Sequence, residues 1–191
     1  IEIDKYEKHW KLEWQDMIST RTLQNASCPY ITNKKILKGF NDFETWCIFN
    51  NMEYLLKEWN YNKNKKKPNQ CLDGGTEKVW WIKTLTNINN EEIIVEWQAQ
   101  ISVRKKGHGD PYSCIPPRKV LKNYNDLAIT HPHLLSEWDY KKNSITPNDI
   151  TYASNKKAWW ICPICGKSYQ CIISSRTQKK EKVCPDCVSS Y

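Results

Sequence analysis

The 191 residues suffice for one medium domain or two small ones. Net charge is +8, carried by 25 Lys and only 4 Arg, and the many Asn and Ile residues fit AT-rich coding, so each retained Arg is informative. No apolar run reaches the roughly 20 residues of a membrane span and no secretory pattern opens the chain, so no membrane partner is expected.

Ten Trp and ten Tyr stand against three Phe and two Met, which implies small cores built from amphipathic rings. The cysteines number nine, an odd count, and four of them form two Cys-x-x-Cys pairs. That pattern suits a metal site in a reducing compartment better than a disulfide framework, so an intracellular location, or one within a virus particle, is expected.

In chain order, residues 1–33 read as the carboxy-terminal remnant of a repeat, with Ile18-Ser19-Thr20-Arg21 and Cys28-Pro29 as its marks. Because the chain opens on Ile1 in the middle of such a unit, a fragment or processed product is expected. Residues 34–117 form a full but altered copy. Its signature segments are Lys35 to Phe43, Glu58-Trp59-Asn60-Tyr61, Pro68, Val79-Trp80-Trp81-Ile82 and Ile101-Ser102-Val103-Arg104. Residues 118–191 repeat them as Lys119 to Leu127, Glu137-Trp138-Asp139-Tyr140, Pro147, Ala158-Trp159-Trp160-Ile161 and Ile173-Ser174-Ser175-Arg176. The three segments carry net charges of −1, +3 and +6, so the basic character lies mostly in the last.

Within the last copy, Asn125-Asp126 followed by Leu127, Leu134, Leu135 and Trp138 predicts a short helical stretch broken or started near Pro132, with His131 and His133 beside it. Ala158 to Ile161 and Tyr169 to Ile173 predict two strands of a hairpin whose turn holds Cys165-Gly166-Lys167. Lys63 to Lys67 and Lys141 to Ser144 read as exposed loops ahead of the hairpins, and a lysine run is usually a solvated face. The fold class expected is therefore α+β, small and hairpin-rich, with short helices.

Cys162-Pro163-Ile164-Cys165 and Cys184-Pro185-Asp186-Cys187 are separated by eighteen residues. Two residues between thiolates let a tight knuckle aim both sulfurs at one ion, and four such ligands close a tetrahedron against water, which predicts one structural Zn2+ on Cys162, Cys165, Cys184 and Cys187. A pair of redox-active motifs or a four-thiolate iron centre are the alternatives. In the middle copy Lys83 and Thr86 replace the first pair, and Cys114 lies near the second without a partner three residues before it, so no zinc is expected there. Trp80, Trp81, Trp97 and a longer hairpin loop through Asn87 to Glu92 are left to hold that copy. Cys47, Cys71 and Cys171 read as packing residues or plain thiols.

These residues resemble a known family. Leu134-Leu135-Ser136-Glu137-Trp138-Asp139, Asn143, Pro147, Trp159 to Cys165, Arg176-Thr177 and Cys184 to Cys187 are similar to the probable zinc-ribbon domain family, clearly over residues 120–188 and in degenerate form over 34–117 and 1–33. The resemblance implies treble-clef or zinc-ribbon modules in tandem, of a kind found in phages, large DNA viruses and bacteria, and a nucleic-acid-associated role.

The phosphate contacts expected for a nucleic-acid module, DNA first, are Lys156, Lys157, Lys167, Arg176, Lys179, Lys180 and Lys182. Four thiolates on zinc carry about −2, which leaves the unit positive. Arg176 has two competing roles, a grip on phosphate or a base edge, or an internal pair with Glu137 matched by Arg104 with Glu58; repetition favours the internal one. Of Trp159 and Trp160, adjacent on a strand, at most one can stack a base. No Gly-rich phosphate loop, nucleophile motif or paired carboxylates are present, so no enzyme is expected. The rival reading is an assembly protein that uses the units as a protein-interaction scaffold. A nuclease fragment is a third.

Overall fold

The structure, a computed structural model, describes residues 2–3, 8–17, 27–178 and 184–188. The chain divides into two compact units, one of Ile1–Thr84 with Ile94–His108, the other of Leu85–Ile93 with Gly109–Tyr191. The repeat mark at residues 18–21 lies outside the described residues.

In the first unit, short strands β1 (Glu2–Ile3) and β2 (His9–Trp10) pair antiparallel. The turn at Cys28-Pro29-Tyr30 is closed by the Lys34 and Lys35 N–H groups, which donate to the Pro29 carbonyl at 2.8 and 3.0 Å. Asn41 ties this turn to the segment leading into the first helix, its side-chain amide donating to the Tyr30 and Lys35 carbonyls. That helix, α1 (Phe43–Phe49), starts where Asp42 accepts from the Thr45 N–H at 2.9 Å, the N-cap that satisfies an otherwise orphan donor. The same carboxylate takes the N–H of Gly39, whose φ of +84° is the left-handed turn this approach requires. After α2 (Tyr54–Lys57) and a 3-10 turn at Pro68–Gln70 come strands β3 (Lys78–Thr86) and β4 (Glu92–Gln100), which pair, and α3 (Ile101–Lys105).

The core of this unit is aromatic, as the composition implies. Trp59 and Trp81 are fully buried and meet edge to face, with centroids 5.5 Å apart and an 80° interplanar angle, and Phe43, Leu55 and Ile101 are buried as well. Each buried ring of this size contributes a few kcal/mol, roughly 3 to 5 when truncated to Ala.

The second unit repeats these contacts. Arg118 and Lys119 N–H groups donate to the Pro111 carbonyl, both at 2.9 Å, and Asn125 donates to the Tyr112 and Lys119 carbonyls. Asp126 caps α4 (Leu127–Thr130) through the Ile129 N–H and receives the N–H of Asn123, which stands in the left-handed region at φ +62° where the first unit uses Gly39. A 3-10 helix at Pro132–Glu137 and another at Pro147–Asp149 lead to strands β5 (Lys157–Ile161) and β6 (Ser168–Ile172). They pair antiparallel with Trp160 opposite Tyr169. Ile173, expected as the end of the second strand, instead opens α5 (Ile173–Gln178), because its apolar side chain turns into the core while its N–H donates to the Lys156 carbonyl at 3.0 Å.

Along β5 burial alternates, with Ala158 and Trp160 inward and Trp159 partly exposed. Trp160 meets Trp138 edge to face at 5.1 Å and 84°, among Leu127, Leu134, Ile150 and Ile173. Asn143 extends the sheet by side chain: its Oδ1 accepts from the Trp159 N–H at 2.9 Å, and its Nδ2 donates to the Trp159 carbonyl at 2.8 Å. Asn64 does the same to Trp80. The loop residue Tyr140 and its counterpart Tyr61 are both exposed.

Candidate metal centre

The first pair of thiols sits where β5 runs out. The Cys162 N–H donates to the Lys167 carbonyl and the Gly166 N–H returns to the Cys162 carbonyl, both at 2.9 Å, which folds the chain into a knuckle. Gly166 adopts φ +69°, and no heavy atom lies within 4 Å of where a Cβ would stand. A substitution there meets backbone strain alone, about 1 kcal/mol.

The second pair sits at α6 (Pro185–Val188), with Pro185 at the helix start where a missing N–H costs nothing. The Cys187 N–H donates to the Cys184 carbonyl at 3.1 Å. Lys167 and Asp186 link the two turns by an ion pair at 3.2 Å, but both are about two-thirds exposed, so it adds little.

The turns bring the four sulfurs together. Cys162 Sγ lies 4.0 Å from Cys187 Sγ, Cys165 Sγ lies 3.6 Å from Cys184 Sγ, and all four fall within 4.8 Å of one another. Thiolates about 2.3 Å from a zinc ion at the centre of a tetrahedron are about 3.8 Å apart, so the cluster needs little adjustment to hold one ion. Cys162 and Cys184 are buried, whereas Cys165 is exposed and Cys187 half-buried. Backbone N–H groups of Cys165, Cys184 and Ile164 point at Cys162 and bring its thiol down to about 6. Hydrogen bonds that the protonated Cys187 thiol donates to Cys165 and Cys184 push it up to about 12. Without a cation, four sulfurs this close cannot all be thiolates; a divalent ion supplies the charge that lets them be. Four protein ligands leave no open position, so the ion is structural and activates no substrate.

Among the described residues no other group of three or more His, Cys, Asp or Glu side chains is arranged to hold a metal. His131 is half-buried against Tyr152 and His133, with ring centroids 5.3 and 5.7 Å away, and burial followed by the His133 charge lowers its pKa. Burial likewise pushes the Cys47 thiol up to about 12 and Cys71 to about 11, so both are neutral packing residues.

The expected phosphate contacts are not all where a phosphate can reach them. Arg176 is 3% exposed and pairs with Glu137, 6% exposed, while stacking over Trp160 at 5.8 Å. Its place among the nucleic-acid contacts is therefore corrected, since a guanidinium held by a buried carboxylate has no free face for solvent. Arg104 pairs with Glu58 in the same manner, over Trp81 and Trp97. Lys167 is exposed but engaged by Asp186. Lys156 and Lys157 are exposed at the start of β5. Lys179, Lys180 and Lys182 lie outside the described residues. Trp160 is fully buried, and Trp159 has Lys142 over its face at 4.5 Å.

In the middle copy the turn that corresponds to the second knuckle stands immediately before Cys114, whose thiol donates to the Pro116 carbonyl. It is Asp110-Pro111-Tyr112-Ser113, identified by the bonds that Pro111 and Pro29 share. The Asp110 carboxylate accepts from the Tyr112 and Ser113 N–H groups at 2.9 and 2.7 Å and from the Ser113 hydroxyl. A carboxylate thus closes the turn where Cys184 and Cys187 would otherwise aim at an ion. The signal was present in the sequence, because Pro111 follows Asp110 as Pro29 follows Cys28 and Pro185 follows Cys184.

The comparisons with known proteins agree with this geometry. No curated protein matches the chain. The family described as Probable Treble clef zinc finger domain matches residues 134–190, the stretch that contains both knuckles and the Glu137 and Arg176 pair. Knuckle, hairpin, terminal helix turn and four convergent thiols agree with that match: residues 134–190 are similar to the probable treble-clef zinc finger family and carry a four-cysteine site suited to a single zinc ion.

Proposed function

We propose that the zinc-bearing unit binds nucleic acid, DNA in the first place, and that the chain is built from tandem copies of one module, only the last of which uses metal. The observation that supports binding is how the acids of the unit are occupied. Asp126, Glu137 and Asp139 are buried, Asp149 is taken by Lys122 at 2.8 Å, and Asp186 by Lys167. Asp139 is held below the usual carboxylate range by the Ser168 hydroxyl first and then by the loop N–H groups, with the Lys142 charge the smallest of these causes. Among the described residues exposed cations such as Lys156 and Lys157 form no ion pair, in a segment whose formal charge is +6. Zinc finger domains often use such faces for nucleic acid or proteins. The zinc orders the module, and no residue is assigned a catalytic role.

Binding of the zinc-loaded chain to duplex and single-stranded DNA, followed from low to high salt, tests this reading. Affinity that falls linearly with salt on a double-logarithmic plot, by one power or less per phosphate neutralised, is the expected outcome. No affinity at the lowest salt overturns it.

A protein-interaction scaffold in a larger assembly is the second reading. It is favoured by one feature, the middle copy's retention of its aromatic core and buried ion pair after losing the ligands, since a scaffold needs shape more than metal. A protein complex that survives nuclease and high salt supports it.

A further inference from the structure

Two of the four arginines, Arg104 and Arg176, are buried and matched to carboxylates. Arg118 is different. It lines a groove of about 510 Å³ in the second unit, together with Pro116, Pro117, Ile150, Ser154 and Lys156. Arg118 is exposed, and one of its guanidinium nitrogens, Nη2, donates to the Gly109 carbonyl at 3.1 Å. The remaining donors of its fork are uncommitted. Lys156 is also exposed. Among the described residues neither cation forms an ion pair. Asp149, an acid of the same groove, is already held by Lys122 and Thr146.

The backbone of both cations is held by hydrogen bonds. Arg118 is pinned to the Pro111 carbonyl at 2.9 Å, the Lys156 N–H to Ser154 Oγ at 3.2 Å, and the Lys156 and Ser154 carbonyls receive the first two N–H groups of α5 at 3.0 and 2.9 Å. The corresponding position in the first unit lacks this character: Glu77 stands where Lys156 does and is paired with Lys66 at 3.0 Å. Lys34 stands where Arg118 does, so the difference lies at Lys156, a cation where the first unit has a carboxylate engaged by Lys66.

We propose that this groove is a phosphate site, in which the Arg118 fork and the Lys156 ammonium hold the phosphodiester of a nucleic-acid strand. The strand, though not the anion, rests on the reading given under Proposed function. A planar fork and a point charge lining one groove suit a phosphate's spread of oxygens, and the two prolines of the lining suit the apolar edge of a sugar.

Amide NMR of the zinc-loaded full chain tests the proposal, with inorganic phosphate and a twenty-residue oligothymidylate as separate probes. Both are expected to move the Arg118, Ser154 and Lys156 resonances. The R118Q/K156Q double variant is expected to lose the phosphate response, to bind the oligonucleotide about tenfold more weakly and to lower its salt slope by about 1.4. K65Q/K141Q, which removes two exposed lysines away from the groove, is expected to retain both responses; zinc content and far-UV dichroism establish that each variant is folded. Phosphate binding without oligonucleotide binding upholds the anion site with free phosphate as its ligand and overturns the nucleic-acid reading. Unchanged oligonucleotide affinity in R118Q/K156Q, with no phosphate response in the parent, overturns the groove and leaves that reading standing. No response to either probe overturns both.

Discussion

The two hairpins solve one problem in different ways. β5 and β6 are five residues each, and their turn ends in a knuckle that aims Cys162 and Cys165 at the second thiol pair. β3 and β4 are nine residues each; β3 runs through Lys83 to Thr86, where the other hairpin has its thiols. Asn87 closes that longer turn, its N–H donating to the Glu91 carbonyl and its Oδ1 accepting from the Glu91 N–H. Extra ladder and an Asx turn stand where the short hairpin relies on an ion. Below the turns the hairpins are alike, each with a buried Trp pair, an Arg and Glu ion pair and an Asn that extends the sheet. The hairpins therefore differ at the tip, longer strands in one and a thiol cluster in the other, while these contacts below the tip are found in both.

The largest expected effect is Cys184→Ser. Zinc content should fall from one per chain to none and the short-hairpin module should unfold, since a structural zinc contributes roughly 10 kcal/mol or more to such a fold. Cys28→Ser, at the same place before a proline but without a metal cluster, should cost only about 1 kcal/mol. Metal analysis and near-ultraviolet dichroism of the Trp pairs check both, and equal losses would erase the contrast. Acid should act in the same direction as Cys184→Ser. With Cys162 near 6 and Cys187 near 12 in the free tetrad, zinc binding at neutral pH displaces thiol protons. Apparent zinc affinity should fall as pH is lowered, most steeply below about 6, where Cys162 takes up its proton as well; chelator competition across pH measures this.

Next in size is the ion pair both modules share. Glu137→Gln leaves a 3%-exposed guanidinium without its carboxylate and should cost about 3 to 5 kcal/mol. Glu58→Gln should cost less, because Glu58 is 15% exposed and solvent can help Arg104. Urea unfolding compares them, and the reverse order would contradict the burial argument. Smallest is Asp110→Ala, which removes the cap of the metal-free turn at about 1 kcal/mol and should leave zinc affinity unchanged.

The metal centre was legible in the sequence because ligand spacing is a local property: two residues between thiols make a knuckle whatever surrounds it. The Trp-Trp elements and Asp126 were legible for the same reason, one through period-two burial and the other through a cap position. The fate of Arg176 was not settled by sequence, since its partner Glu137 is 39 residues away and burial depends on how the hairpin and α5 close over Trp160. Asp110 was missed because a search for cysteine passes over a carboxylate that does a similar job by hydrogen bonding. Arg118 and Lys156 come together only through the fold, across a groove made by segments far apart in the chain.

Hydrogen exchange resolved by peptide, with and without a zinc chelator, tests the central claim most directly. Chelation should abolish protection across residues 157–178 while leaving residues 43–60 and 94–105 protected as before. Loss of protection in both sets together, or in neither, would contradict an account in which one ion holds one module and its relative stands without it.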